Sequence, residues 1–284
     1  MFTSKRALAA IAAAGLFTAA CGNAPAADPM TSMTPSTSAT SPTSPAMSMD
    51  MPMPSGDGLA AESGGYKFEP ASTTVSKAFT FRILGPDGKA VTAFEPEQTK
   101  LMHFYLVRSD LTGFQHVHPT MAADGTWTAP LDAAQPGSYR AYTQFVVKGT
   151  GEVLSQPLTV SGGATTSALA APAATTEVDG YTLTVGGDKP MAGMTHQLTV
   201  SVAKDGQPVT DLQPYLDTYA HLTAFHATDL AFAHLHPQGE VTGDHGGPTL
   251  TFEAMLPKSG NWRLFVQFQT AGVLHTAALT VAAA

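Results

Sequence analysis

Between Val75 and Ile83, and again between Thr195 and Val202, apolar residues fall at every second position over part of the run, and both segments are rich in β-forming residues. That period turns one face of an extended strand to a core and the other to water. Comparable runs predict further strands near residues 101–107, 113–118, 138–147 and 153–160, and near 219–225, 230–236, 249–256, 261–269 and 273–281. Asp87-Gly88 and Asp205-Gly206 sit where tight hairpin turns are needed, because glycine takes the positive φ that such turns demand. No segment keeps a helical apolar period long enough for a substantial helix.

The pattern is written twice. From Phe81 to Pro119 and from Thr199 to Pro237 the chain aligns with itself without a gap at an offset of 118 residues. Asp87-Gly88 falls on Asp205-Gly206, His103 on His221, Phe114 on Phe232, His116 on His234, His118 on His236 and Pro119 on Pro237. The register then slips, yet Tyr139-Arg140 and Phe145 find counterparts in Trp262-Arg263 and Phe268, and each half closes on Leu-Thr-Val. An internal repeat of this kind predicts two copies of one folding unit, at residues 66–162 and 178–284, joined by a Gly/Ala/Thr-rich linker at 163–177. Unit size and strand pattern give an all-β fold class, two tandem immunoglobulin-like or copper-resistance-like β-sandwich domains.

The first 65 residues read differently. Lys5 and Arg6 precede an Ala-rich apolar run from Ala7 to Ala20, too short to span a bilayer and of the length of a signal-peptide core. Cys21, the one cysteine of the chain, follows Thr18-Ala19-Ala20 and resembles the acylated cysteine of a bacterial lipobox, with Thr18 standing where those signals usually carry Leu. The resemblance implies a lipoprotein-type signal at residues 1–21 and a protein held by lipid in the cell envelope, outside the cytoplasmic membrane. Conventional cleavage nearby is the other reading. Residues 22–65 are rich in Ala, Ser, Thr, Pro and Gly and predict a disordered tether. Met47, Met49, Met51 and Met53 alternate within it, and four thioethers on one side of an extended segment suit Cu(I) or Ag(I). The competing reading is composition without binding.

The strongest chemical pattern is His-x12-His-x-His, as His103, His116 and His118 and again as His221, His234 and His236. A hairpin with Arg108 to Leu111 as its connection sets His103 opposite His116 and puts His118 on the same face. Neutral imidazole nitrogen suits copper and zinc. The alternative is structural, with outward histidines flanking Val117 on an ordinary strand and Pro119 ending it. His196, His226, His245 and His275 lack first-half counterparts, which makes the second half the expected place for a more elaborate site. Phe104, Phe114, Phe225 and Phe232 are expected in the core.

Composition removes several classes. Lys+Arg 14 against Asp+Glu 22, a formal charge of −8, argues against nucleic acid as a partner. A single Cys excludes an internal disulfide framework, Cys-rich zinc or iron–sulfur sites and a blue-copper centre in the repeats. No phosphate loop, His-Glu-x-x-His helix or Gly-x-Ser-x-Gly elbow marks a catalytic class, and no catalytic residue is assigned. The segments from Thr99 through Pro119 and from Tyr219 through Pro237 resemble repeats of secreted bacterial proteins, some similar to copper-handling components of the envelope. That resemblance implies a copper role for the six histidines, in buffering or delivery, with zinc as the other metal. Two further readings stay open: an adhesion or assembly module that binds another envelope protein, and a metal-dependent hydrolase whose base would come from Asp110, Asp229 or Glu253.

Overall fold

A computed structural model describes residues 56–284. Cys21 and the alternating methionines Met47, Met49, Met51 and Met53 lie outside the described residues. Among those described, no helix is long and apolar enough to cross a membrane.

The protein is all-β. The first repeat runs β1 (Glu62–Ser63), β2 (Tyr66–Pro70), β3 (Ala78–Leu84), β4 (His103–Arg108), β5 (Gln115–Val117), β6 (Thr120–Met121), β7 (Trp127–Pro130), β8 (Gly137–Val147) and β9 (Thr150–Val160). The second runs β10 (Thr175–Val178), β11 (Tyr181–Gly187), β12 (Thr195–Lys204), β13 (Gln207–Pro208), β14 (Ala220–His226), β15 (Phe232–Gln238), β16 (Thr249–Met255), β17 (Gly260–Thr270) and β18 (Val273–Ala283). Residues 56–65, placed in the tether by composition, carry β1, and Ala60 O accepts a backbone bond from Ser155 N. The 163–177 linker ends inside β10 and is pinned along its course, with Ser167 N donating to Asp110 and Leu169 packing between the repeats.

Both repeats share one strand order. In the first, the sheet β1-β2-β3-β7-β6 packs on the sheet β5-β4-β8-β9, and Phe79, Phe81 and Ile83 meet Phe104, Leu106 and Leu154 between them. In the second, the corresponding strands form a continuous sheet, β10-β11-β12-β16-β15-β14-β17-β18, with β13 on β12. The difference lies in one strand. β15 pairs with β14 through residues 232–235 and with β16 through 236–238, whereas in the first repeat Pro119 falls between β5 and β6, which pair separately with β4 and β7. Pro237 instead sits within β15 opposite Phe252.

Burial patterns show how the repeats meet. β3 and β12 alternate, as expected of strands with one covered face. β4 and β14 are buried at every position, because both of their faces are covered. Phe104 and Leu106 enter the first repeat's core, while Tyr105 and Val107 enter a second core between the repeats with Phe225, Phe232 and Phe265. Phe114 stacks on Phe265 with ring centroids 4.1 Å apart. The odd-numbered residues of β4 and β14 therefore face each other across the repeat interface, and the histidines lie on that face.

Candidate metal centre

The β4–β5 register corrects the expected hairpin. Tyr105, not His103, lies opposite His116, with Phe104 opposite Val117. The connection runs from Ser109 to Phe114, lengthened by Leu111 (φ 61°) and Gly113 (φ 60°) and closed by Leu111 N to Arg108 O and Arg108 N to Thr112 O. The slip is two residues. Because strand side chains alternate with period two, an even slip keeps every side chain on its face. His103, His116 and His118 still converge, with one nitrogen of each within 4.8 Å of the others.

The hydrogen bonds assign the ring tautomers. His103 is fully buried, and its Nε2 lies 3.0 Å from the carbonyl oxygen of Glu97, so Nε2–H donates there. His116 Nδ1 lies 2.7 Å from Gln267 Oε1, an acceptor, so His116 Nδ1–H donates there, while Gln267 Nε2 donates to Thr276. In neutral rings this leaves His103 Nδ1 and His116 Nε2 as lone-pair nitrogens, 3.1 Å apart and facing each other. Two lone pairs at that distance repel unless a proton or a cation lies between them. A third proton is disfavoured, since burial pushes His103 down to about 4. Ligand nitrogens about 2 Å from one tetrahedral ion stand roughly 3.3 Å apart, close to the separation seen. His118 meets both rings edge-on, 5.0 Å from His103 and 4.8 Å from His116 between centroids. Its Nε2 is buried with no hydrogen-bond partner among the described residues, and burial pushes this ring down to about 3. The cluster thus presents neutral nitrogen donors that can hold a metal ion.

The residues behind the ligands were missed by sequence reasoning. Glu97 O is aimed by a two-residue turn at Gln98 (φ 43°) and Thr99 (φ 69°), closed by Glu97 N to Lys100 O and the reciprocal bond. A positive φ is unusual for a β-branched residue such as Thr99. The second repeat has the same turn, with Leu216 and Asp217 at φ 57° and 58° between Tyr215 and Thr218. The Glu97 side chain is 4 % exposed and accepts from Gln144 Nε2 at 3.0 Å. Burial pushes its carboxyl up to about 7 against the lowering effect of the Gln144 bond. Gln144 Oε1 in turn accepts from Tyr105, whose fully buried phenol is held well above its ordinary value by desolvation. Gln144 and Gln267 each precede one of the aligned phenylalanines, Phe145 and Phe268. That duplicated Gln-Phe pair was the available signal.

The second-half histidines divide. His221 is fully buried and stacks at 4.7 Å on His116 and 5.7 Å on His103, so it joins the cluster from the other repeat. His236 is half-buried and paired through its backbone with Glu253. His234 holds the register position opposite Thr223, and its side chain lies outside the described residues. The four extra histidines do not enlarge the site. His226 bonds Asp229 and Ser259 O, His275 bonds Asp179 and Thr270, His196 accepts from Met191 N, and His245 stands exposed beside Asp244. Among the described residues the cluster is built on the first repeat and joined by His221 of the second. Phe104 lies in the first repeat's core and Phe114, Phe225 and Phe232 in the core between the repeats.

Fold and site together define an all-β protein of two like repeats with an imidazole cluster where they meet. The chain belongs to the family described as domain of unknown function DUF8832, whose model matches residues 61–162 and 176–284. No curated protein matches the chain. Among solved structures it is similar to a DUF4426-family protein of Pseudomonas aeruginosa, with 6 % identity over 38 % of this chain and 94 % of that one and a TM-score of 0.28. It is also similar to Yersinia pseudotuberculosis InvD, with 15 % identity over 78 % of this chain and 58 % of that one and a TM-score of 0.24. Domains 4 and 5 of the S-layer protein SbsC match at 12 % identity over 77 % of this chain and 96 % of that one, with a TM-score of 0.24.

Proposed function

We propose that the protein binds a transition-metal ion at His103, His116 and His118 and serves as a metal-buffering or metal-delivering protein of the cell envelope, with copper as its metal and zinc as the competitor. The observation that carries this reading is the convergence of His103, His116 and His118, one nitrogen of each within 4.8 Å of the others, with the other ring nitrogen of His103 and of His116 beside a carbonyl oxygen. Metal-bound histidines carry this arrangement, the outward N–H held by an oxygen so that the inward nitrogen is presented as ligand. The adhesion reading called for scattered histidines, and their convergence favours metal. A copper-resistance-like kinship of the repeats and a lipid anchor at Cys21 belong to the same proposal, as do the tether methionines Met47, Met49, Met51 and Met53 as a Cu(I) collector beside a Cu(II) or Zn²⁺ site in the repeats.

Titration of the full chain with Cu(II), Zn²⁺ and, under reducing conditions, Cu(I) tests the reading. His118→Ala removes a ring that is only part-buried, so the fold is expected to persist. Loss of tight Cu(II) or Zn²⁺ binding in that variant is the expected result. Wild-type-like stoichiometry and affinity in a variant lacking all of His103, His116 and His118 would remove the proposal.

A further inference from the structure

Residues 57–61 cross from one repeat to the other. Asp57 O accepts from Phe232 N at 2.8 Å, and Asp57 Oδ2 lies 2.8 Å from Lys258 Nζ, both groups of the second repeat. Lys258 also bonds Asp229 at 2.7 Å, so its ammonium is held between two carboxylates. Gly58 is buried at the seam. A Cβ there would stand 2.9 Å from Phe232 Cβ of the second repeat and 3.0 Å from Val153 Cγ1 of the first, and its φ of 67° is one that glycine adopts without strain. Leu59 packs on the second repeat's core while its carbonyl oxygen accepts from Arg140 of the first at 3.1 Å, and Ala60 O and Ala61 O then accept from Ser155 N and Phe68 N. The arm precedes the first repeat in sequence, yet it starts on the second.

A line of ring contacts leads from the arm to the triad. Phe232 lies against Tyr105 with centroids 5.4 Å apart, and Tyr105 stacks on His116 at 4.4 Å and 21°. Val153, Phe232 and Tyr105 belong to the one apolar core between the repeats. On the same side of β4, Gln267 bonds His116 and His221 bonds Tyr105, so parting the repeats withdraws both second-repeat groups from the triad. We infer that Asp57 to Ala61 form a clasp that holds the second repeat against the triad and thereby sets how fast a bound ion leaves. The inference rests on the metal reading above and adds its control. While the arm is seated, Gln267 braces His116 with its ligand nitrogen turned inward; once the arm lifts, the repeats can part and the brace goes with them. Coupling between sites is reciprocal, so a bound ion must in turn hold the arm down.

Zn²⁺ is the probe and the full chain the sample. Hydrogen exchange read by NMR on the unaltered protein, with and without Zn²⁺, follows the Phe232 amide, which Asp57 O holds, and the Gly85 amide, which Lys89 O holds in the turn after β3. Zn²⁺ is expected to slow Phe232 by at least about fivefold, the lower end of typical coupling between sites, and to leave Gly85 unchanged. Release of Zn²⁺ to a chromophoric chelator is timed by stopped flow for Asp57→Ala and Gly58→Val, whose contacts include no triad residue. Each variant is expected to bind Zn²⁺ and to lose it at least about fivefold faster than wild type. The exchange measurement needs no substitution, so a variant that fails to fold leaves it intact. Bound Zn²⁺ with no slowing at Phe232 beyond that at Gly85, or release from both variants within about twofold of wild type, would overturn the clasp and leave the metal site standing. No Zn²⁺ held by the unaltered protein would overturn both.

Discussion

Gln267 offers a direct test of whether the second repeat tunes a site whose three ligands all come from the first. Its Oε1 lies 2.7 Å from His116 Nδ1, its side chain is buried, and its Nε2 donates to Thr276. Replacing Gln267 with Leu keeps the volume approximately and removes the acceptor. His116 Nδ1–H then has lost that partner in a buried place, which costs about 1–3 kcal/mol. The ring can shed part of this cost by moving its proton to Nε2, but that nitrogen is the one aimed at the metal. Loss of an outer hydrogen bond of this kind typically lowers metal affinity by about 10–100-fold, equivalent to roughly 1.4–2.8 kcal/mol. Gln267→Glu works in the opposite sense, since a carboxylate is a stronger acceptor and makes His116 a more basic ligand. Competition titration with a chromophoric chelator measures both variants against wild type, with urea denaturation alongside to register folding. The expected order of affinity is Glu above Gln above Leu. An affinity unchanged within about twofold in Gln267→Leu, or a fall of equal size in both variants, would refute the reasoning, because a purely steric role cannot distinguish acceptor strengths.

The buried carboxyl of Glu97 makes stability depend on pH in a way that one substitution isolates. Its folded value of about 7 lies above the ordinary 4.5, so the stability it leaves to the metal-free protein is full below 4.5 and is lost as pH rises through 7. Glu97→Gln is therefore expected to match wild type in urea denaturation near pH 4.5 and to exceed it by up to about 3 kcal/mol near pH 8; a pH-independent difference would sink this account. His103 works in the other direction, losing stability as pH falls from 6.5 toward 4, and it cancels in the comparison because both proteins carry it. At the repeat interface, Phe265 is 4 % exposed and stacks on Phe114. Phe265→Ala should cost about 3–5 kcal/mol by denaturant titration, and a loss below about 1 kcal/mol would mean that the inter-repeat core contributes little to folding.

Much of the strand content was legible in sequence because one-sided strands announce themselves. The run ending at Ile83 and the run starting at Thr195 alternate, and both became strands close to the expected limits. Asp205-Gly206 formed its hairpin turn, with φ of 50° and 74°. Short strands such as β7 and β10 escaped notice, since a pairing of four residues is too brief to establish a period. β4 was legible as a strand but not as a doubly covered one. His103-Phe-Tyr-Leu-Val-Arg108 is apolar on both faces through its middle, and sequence cannot say whether the second face meets another layer of the same unit or another unit.

The candidate site shows why its ligands could be read and its setting could not. The spacing His-x12-His-x-His fixes the parity of the three residues once a hairpin is assumed, and parity alone decides which face each side chain takes. The assumed turn was two residues short, yet an error of two preserves parity, so the triad gathered as expected with different partners opposite. A slip of one would have sent His116 into the Phe104 core and ended the metal hypothesis. No such rule reaches across the repeats. Gln267 lies 151 residues from His116, and nothing in local period or turn chemistry links them. What the sequence does contain is the repeat itself. If a duplicated unit packs against its own copy through equivalent faces, then whatever one copy places on that face meets its counterpart near the symmetry axis. His103 and His221 occupy equivalent positions on β4 and β14, and their rings stack nearly parallel in the folded chain. Duplication is thus more than an echo of ancestry here, since it is the means by which imidazoles from both halves enter one buried layer.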